Sequence, residues 1–321
     1  MEWKLKNMRP GFGEALVELG KRYQQVVALN ADLSGSTTTD MFDKVFPERF
    51  FNVGVAEQNL MGIDAGLAST GKIVFPSTFA MFAAGRAYDQ IRQSIAYPKL
   101  NVKIVATHAG ISVGGDGASH QMHEDLALMR VLPHMTVIAP ADYWETKKAV
   151  LKVAETPGPC YMRLGRTNTP LIYDENYDFT IGKADLLRDG DDVTIIAVGL
   201  MVYKAIEAAE ALSKKKISAR VVNMSTIKPL DKNMITDFED FCTWMYTLGA
   251  FGPGGTSQYK PCKPGWSGGF SRLAMFYDVQ RPAEVPTPES APQTTNALQT
   301  LVGRTSFDYS SAWSNLSWHA P

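Results

Sequence analysis

Short apolar runs alternate along the first half of the chain with segments whose apolar residues recur every three or four positions. Residues 11–23 have helical spacing (Ala15, Leu16, Leu19) and lead into the apolar run 26–29. Residues 56–68 predict a second helix and 72–76 a strand, while 80–96 predict one long helix and 102–107 a buried strand. The series continues with a helix over 126–131, a strand over 136–139, a helix over 144–154 and a strand over 160–164. Runs rich in Val and Ile suit strands buried on both faces, so this alternation predicts a parallel sheet covered by helices. After a connector over 172–180, a strand (192–198), a helix (202–214) and a strand (219–223) open a second, smaller unit. The expected class is α/β, with a parallel-sheet domain over 1–175 and a second α/β domain starting over 186–235 that is incomplete or altered.

From about residue 237 the alternation stops. Gly, Pro, Ser and Thr accumulate in FGPGGTSQYKPCKPGWSGGF and PAEVPTPESAPQTT, and Trp244, Trp266, Trp313 and Trp318 all fall here. A polar loop-rich tail explains the glycines and prolines but not the aromatics. Residues 236–321 therefore read as an atypical tail, disordered or the product of a shifted reading frame.

Charge and composition remove several function classes. The formal net charge is −1, which leaves no basic footprint for nucleic acid or an anionic membrane. Cys160, Cys242 and Cys262 are widely spaced and suggest neither a disulfide framework nor a zinc pattern. With no secretory leader and no long apolar run, the expectation is a cytoplasmic protein.

Candidate chemistry concentrates in HAGISVGGDGASHQMHEDLALMR, residues 108–130, which holds three of the five histidines beside Asp116. Glycines there let the backbone turn sharply and approach a ligand, and histidines exchange protons near neutral pH. Upstream, Glu57 opens an apolar helix, where an acid complements the helix dipole or faces a ligand. Phe79 and Phe82, three positions apart, form either a core stripe or a face for an aromatic ring. His120, His123 and Glu124 could also be metal ligands one turn apart, but no second ligand cluster accompanies them.

Five motifs in order, ADLSGST, FFNVGVAEQN, STFAMFAAGRAYDQIR, HAGISVGGDGASHQ and MRLGRTN, resemble the transketolase family over residues 8–231. The likeness is to the pyrimidine-binding and C-terminal part that some organisms make as a separate subunit. It implies a thiamine diphosphate-binding pyrimidine domain in which Glu57 hydrogen-bonds the aminopyrimidine, Phe79 and Phe82 stack on it, and Asp32 and Leu33 line the cavity. The family's further aromatic falls at Gly85. His108, Asp116 and His120 match residues that engage sugar hydroxyls and move protons, a duty suited to a near-neutral histidine. Arg9, Ser36 and Arg166 match groups that hold a sugar phosphate, with Arg163 able to share the role of Arg166.

Gly115-Asp116-Gly117 mimics the start of the family's magnesium motif, yet no asparagine lies between Asn101 and Asn168 to complete it. The resemblance thus implies no metal ligands in this chain. It implies a partner subunit carrying the diphosphate domain with Mg2+ or Ca2+, in a two-plus-two assembly. The activity implied is ketol transfer between sugar phosphates, as in the pentose phosphate pathway. Rivals are a 1-deoxyxylulose-5-phosphate synthase-like enzyme, a 2-oxo acid dehydrogenase beta subunit and a partner-binding pseudo-enzyme.

Overall fold

The structure, a computed structural model, describes residues 3–236 and 274–276. The first domain holds strands β1 (Leu5–Asn7), β2 (Val26–Asn30), β3 (Phe50–Asn52), β4 (Ile73–Phe79), β5 (Lys103–Thr107), β6 (Thr136–Ile138), β7 (Cys160–Arg163) and β8 (Asn168–Pro170). Strands β9 (Asp185–Arg188), β10 (Val193–Ala197), β11 (Ala219–Asn223), β12 (Thr226–Lys228) and β13 (Ala274–Phe276) follow. The helices are α1 (Arg9–Arg22), α2 (Ser34–Thr37), α3 (Asp40–Asp43), α4 (Glu57–Ser69), α5 (Tyr88–Gln90), α6 (Asp125–Val131), α7 (Tyr143–Ala154), α8 (Met201–Ser213) and α9 (Lys232–Thr236).

Strands β2 to β7 run parallel in the order β6-β7-β5-β4-β2-β3, and β12 adds an antiparallel edge beside β6. Successive residues of a strand face opposite sides, so each buried strand feeds two cores. Val74, Ile104 and Tyr161 pack with Leu60 and Met61 of α4 and with Ile91. Their neighbours Phe75, Val105 and Met162 pack with Phe12 and Leu16 of α1 and with Val150 of α7. That two-sided demand is why the strand segments read as unbroken apolar runs.

The long helix expected over 80–96 is not one helix. Strand β4 continues past Pro76 to Phe79, pairing Ser77, Thr78 and Phe79 with Val105, Ala106 and Thr107 of β5. Phe79 therefore ends a strand and does not begin a helix. Two polar residues hid the extension, and the structure satisfies one of them: the Ser77 hydroxyl donates to the Val105 carbonyl at 2.7 Å. Beyond it come a π-helical turn, Met81–Arg86, then α5, then a second π-helical turn, Ile91–Ala96.

The second domain is a four-stranded sheet, β13-β10-β11-β9, with α8 against it. A buried polar junction joins it to the first domain. Asp142 caps α7 by accepting from the Glu145 N–H at 2.9 Å, and its other oxygen accepts from the Ile172 and Tyr173 N–H groups at 2.7 and 2.8 Å. The Asn223 amide donates to the Glu145 carboxyl at 3.0 Å and to the Tyr173 hydroxyl at 2.8 Å, and that hydroxyl donates to Asp185 at 2.6 Å. Burial pushes the Glu145 carboxyl up to about 7. The atypical tail expected over 236–321 lies outside the described residues save for β13 and the last residue of α9.

Candidate active site

Parallel strands end at one edge of their sheet, and ligands in open α/β sheets sit beyond that edge. The sequence-predicted residues converge there. Asp32 follows β2, the chain from β3 leads to Glu57, Phe79 ends β4, His108 follows β5 and Arg166 follows β7.

Glu57 is the first residue of α4 and only 2% exposed. Its carboxylate Oε2 accepts from Arg86 Nη1 at 2.9 Å, and the Arg86 guanidinium lies 4.6 Å over the Phe82 ring. Phe82 and Phe79 are near-parallel at 15° with centroids 6.1 Å apart. Phe79 stacks on the His108 imidazole at 3.8 Å, and His120 meets Phe82 edge-on at 5.1 Å. One carboxylate thus stands beside a group of four rings. Gly85 sits in the same π-helical turn, where a Cβ would come within 3.3 Å of Met81 Cε.

His108 is buried, holds a left-handed backbone (φ 59°) and shares a 2.9 Å hydrogen bond between Nδ1 and the Thr107 hydroxyl. Burial, with Arg9 and Arg166 nearby, lowers its pKa to about 4. This corrects the expectation of a near-neutral histidine: burial, and the same arginines that would suit an anion, disfavour a further positive charge, so the imidazole is neutral at pH 7, with one ring nitrogen a donor and the other an acceptor. Asp116 ends the short turn Ile111–Asp116, exposed, and acts on His108 through its charge. His120 Nδ1 is 2.9 Å from the Ser119 hydroxyl, and Glu124 accepts from the His123 N–H at 3.0 Å. Among the described residues no three His, Cys, Asp or Glu side chains converge to hold a metal.

Arg9 donates from Nη1 to the Ser36 carbonyl at 2.6 Å, from Nη2 to the Arg166 carbonyl at 3.3 Å and from Nε to Asn7 Oδ1 at 3.1 Å. Arg166 donates to the Val113 carbonyl at 2.6 Å, a reach open only because Gly114 (φ 78°) has no side chain in the way. Carbonyl and amide oxygens orient both guanidinium groups, and neither forms an ion pair among the described residues. Ser36 enters through its main chain. Arg163 does not join them: its Nε donates at 3.0 Å to the fully buried Asp125, which also accepts from the Tyr161 hydroxyl at 2.9 Å.

Sequence reasoning missed the residues that hold the Asp32–Leu33 segment. Asp32 takes a left-handed backbone (φ 62°) fixed by reciprocal 3.0 Å bonds, its N–H to Asn52 Oδ1 and Asn52 Nδ2 to its carboxylate. Buried Asn30 accepts from the Leu33 N–H and donates to Thr37 and Thr39 hydroxyls at 2.9 and 3.1 Å. Arg86 was also missed, although it falls one turn after Phe82.

Residues 4–171 match the family described as "Transketolase, pyrimidine binding domain", and residues 182–238 match "Transketolase, C-terminal domain". A Methanocaldococcus jannaschii protein described as "Putative transketolase C-terminal section" is 59% identical over 74% of this chain and 75% of its own length. Human transketolase is 42% identical over 71% of this chain, which spans 37% of that longer protein. A solved structure described as "Split gene transketolase, inactive beta4 tetramer" superposes with a TM-score of 0.67 at 55% identity, covering 72% of this chain and 76% of that one. With both domain matches in this order and more than half of the aligned residues identical in a relative that the alignment covers to three quarters, the chain belongs to the transketolase family.

Proposed function

We propose that the chain is the pyrimidine-binding subunit of a split transketolase that moves a two-carbon ketol unit from a ketose phosphate to an aldose phosphate. The observation that carries this reading is the buried Glu57 carboxylate beside the stacked Phe79 and Phe82 rings, with two arginines on the same sheet edge that form no ion pair among the described residues. A flat ring with hydrogen-bonding nitrogens, such as the aminopyrimidine of thiamine diphosphate, fits that donor set. When bound, the cofactor supplies the electron sink for breaking a carbon–carbon bond beside a carbonyl.

The chain's own residues divide the remaining work. Glu57 exchanges a proton with the ring nitrogen, and Phe79 and Phe82 hold the ring's plane. Neutral His108 accepts a hydrogen bond from a sugar hydroxyl as that hydroxyl gives up its proton, with His120 and Asp116 orienting the hydroxyls. Arg9 and Arg166, steadied by the Ser36 and Val113 carbonyls, hold the phosphate. Asp32 and Leu33 line the cavity beside the ring.

The diphosphate, with Mg2+ or Ca2+, is assigned to a partner subunit. Phe51, Val55 and Ile63 are 43%, 73% and 36% exposed around the start of α4, an apolar surface suited to being covered. The split-gene relative, described as an inactive tetramer of one subunit type, supports the same reading. The test is to combine the chain with a diphosphate-domain subunit, thiamine diphosphate and Mg2+. Xylulose 5-phosphate and ribose 5-phosphate should then react, and the chain alone should not turn over. Turnover by the isolated chain would refute the divided site, and products formed only from pyruvate would move the assignment to the synthase or dehydrogenase class.

Arg166→Met should raise KM for a phosphorylated donor roughly 10- to 100-fold, the worth of a charged hydrogen bond of about 1.5–3 kcal/mol. KM for an unphosphorylated ketose should stay within about twofold. Equal effects on both would remove Arg166 from the phosphate site.

A further inference from the structure

We propose that Arg86 is a positioning residue of the cofactor site, and that its charge sets the pH at which the bound pyrimidine ring takes up a proton. This rests on the thiamine diphosphate reading above. Three observations converge on the residue. Its Nη1 is 2.9 Å from Glu57 Oε2, the carboxylate being 2% exposed and the guanidinium 49%. The same guanidinium lies 4.6 Å over Phe82, one of the two rings assigned to the pyrimidine. And it stands in a π-helical turn whose i to i+5 bond, Ala87 N–H to the Phe82 carbonyl at 3.2 Å, places Phe82 and Arg86 about one turn apart. Wide turns of this kind have poor intrinsic stability and recur at functional sites.

The geometry gives the group two effects. Glu57 comes from α4 and Phe82 from the turn after β4, and Arg86 ties them into one unit. By occupying Oε2 it also fixes which carboxylate oxygen faces the ring. A cation this close to a carboxylate with little solvent around it offsets part of the negative potential felt by a ring nitrogen on the far oxygen. Removing the charge strengthens that potential, so the ring holds a proton to higher pH. Lysine keeps the charge and loses the flat stacking surface.

The experiment follows the protonation state of bound thiamine diphosphate by near-ultraviolet circular dichroism, from about pH 5 to pH 9, in the assembly with Mg2+. The wild type, Arg86→Gln and Arg86→Lys are compared. The midpoint should rise by about one pH unit in Arg86→Gln, a lower-end value for a charge partly open to solvent. Arg86→Lys should restore the wild-type midpoint while binding the cofactor several-fold more weakly. Coincident midpoints in all three, or an equal rise in both variants, would overturn the assignment of Arg86 alone. An assembly that takes up no thiamine diphosphate would overturn the cofactor reading and this proposal with it.

Discussion

Glu57→Gln in the reconstituted assembly is expected to lower kcat for ketol transfer by at least about 100-fold, the smaller end of what a positioned acid–base group contributes. Glutamine has nearly the same shape and still offers a hydrogen bond, so the ring keeps a partner. It carries no exchangeable acid proton, however, and cannot balance the charge of a protonated ring. It also abandons Arg86, whose guanidinium now faces a neutral amide at the distance where it meets Oε2 at 2.9 Å. Cofactor affinity should fall less than kcat, because the aromatic pair is untouched. Single-turnover rates at saturating thiamine diphosphate separate the two effects. Turnover within threefold of wild type would end the case for Glu57 as the proton-exchanging group, whatever the reaction turns out to be.

How much of this was legible in the sequence depends on which physical signal each feature left. Strands β2, β5 and β7 announced themselves because both faces are buried, and α1 and α7 because one face is. Strands β1, β3, β8, β9 and β12 are three or four residues long, too short for periodicity to rise above composition. The end of β4 was missed because Ser77 and Thr78 are polar and yet fully buried. Glu57, the two phenylalanines and the histidines were singled out by residue type and company. Arg86, Asn30 and Asn52 were not: Arg86 reaches Glu57 29 positions away, Asn52 reaches Asp32 20 away and Asn30 also reaches the Ser77 carbonyl 47 away, and no local pattern records that. The His108 shift illustrates the same limit: only the fold shows that the ring is buried, with Arg9 and Arg166 nearby, and that lowers its pKa to about 4.

Asp64→Asn is the substitution expected to stabilise the chain most, and its signature is a dependence on pH. Asp64 lies on the buried face of α4 with Leu60, Met61, Ala65 and Ala68, fully inaccessible, and neither carboxylate oxygen has a hydrogen-bond partner among the described residues. Burial alone raises its pKa well above the usual carboxylate value. The native state therefore keeps a proton that the unfolded chain has released, so wild-type stability is fullest below the unfolded-state carboxyl range and falls as pH rises. Holding a carboxyl neutral at pH 7 against an unfolded value near 3.9 costs at most about 4 kcal/mol, which sets the ceiling for the gain. Asparagine has no proton to hold. Its amide is as poorly bonded at one pH as at another, so that penalty cancels from the pH difference. Glu145, raised to about 7 by burial, imposes a similar decline between about pH 4.5 and 7 in both proteins and also cancels. Urea unfolding should show Asp64→Asn more stable by about 2–4 kcal/mol at pH 8 and nearly equal to wild type at pH 4. A difference between the two proteins that does not grow from pH 4 to pH 8 would mean that burial does not hold Asp64 protonated in the folded chain.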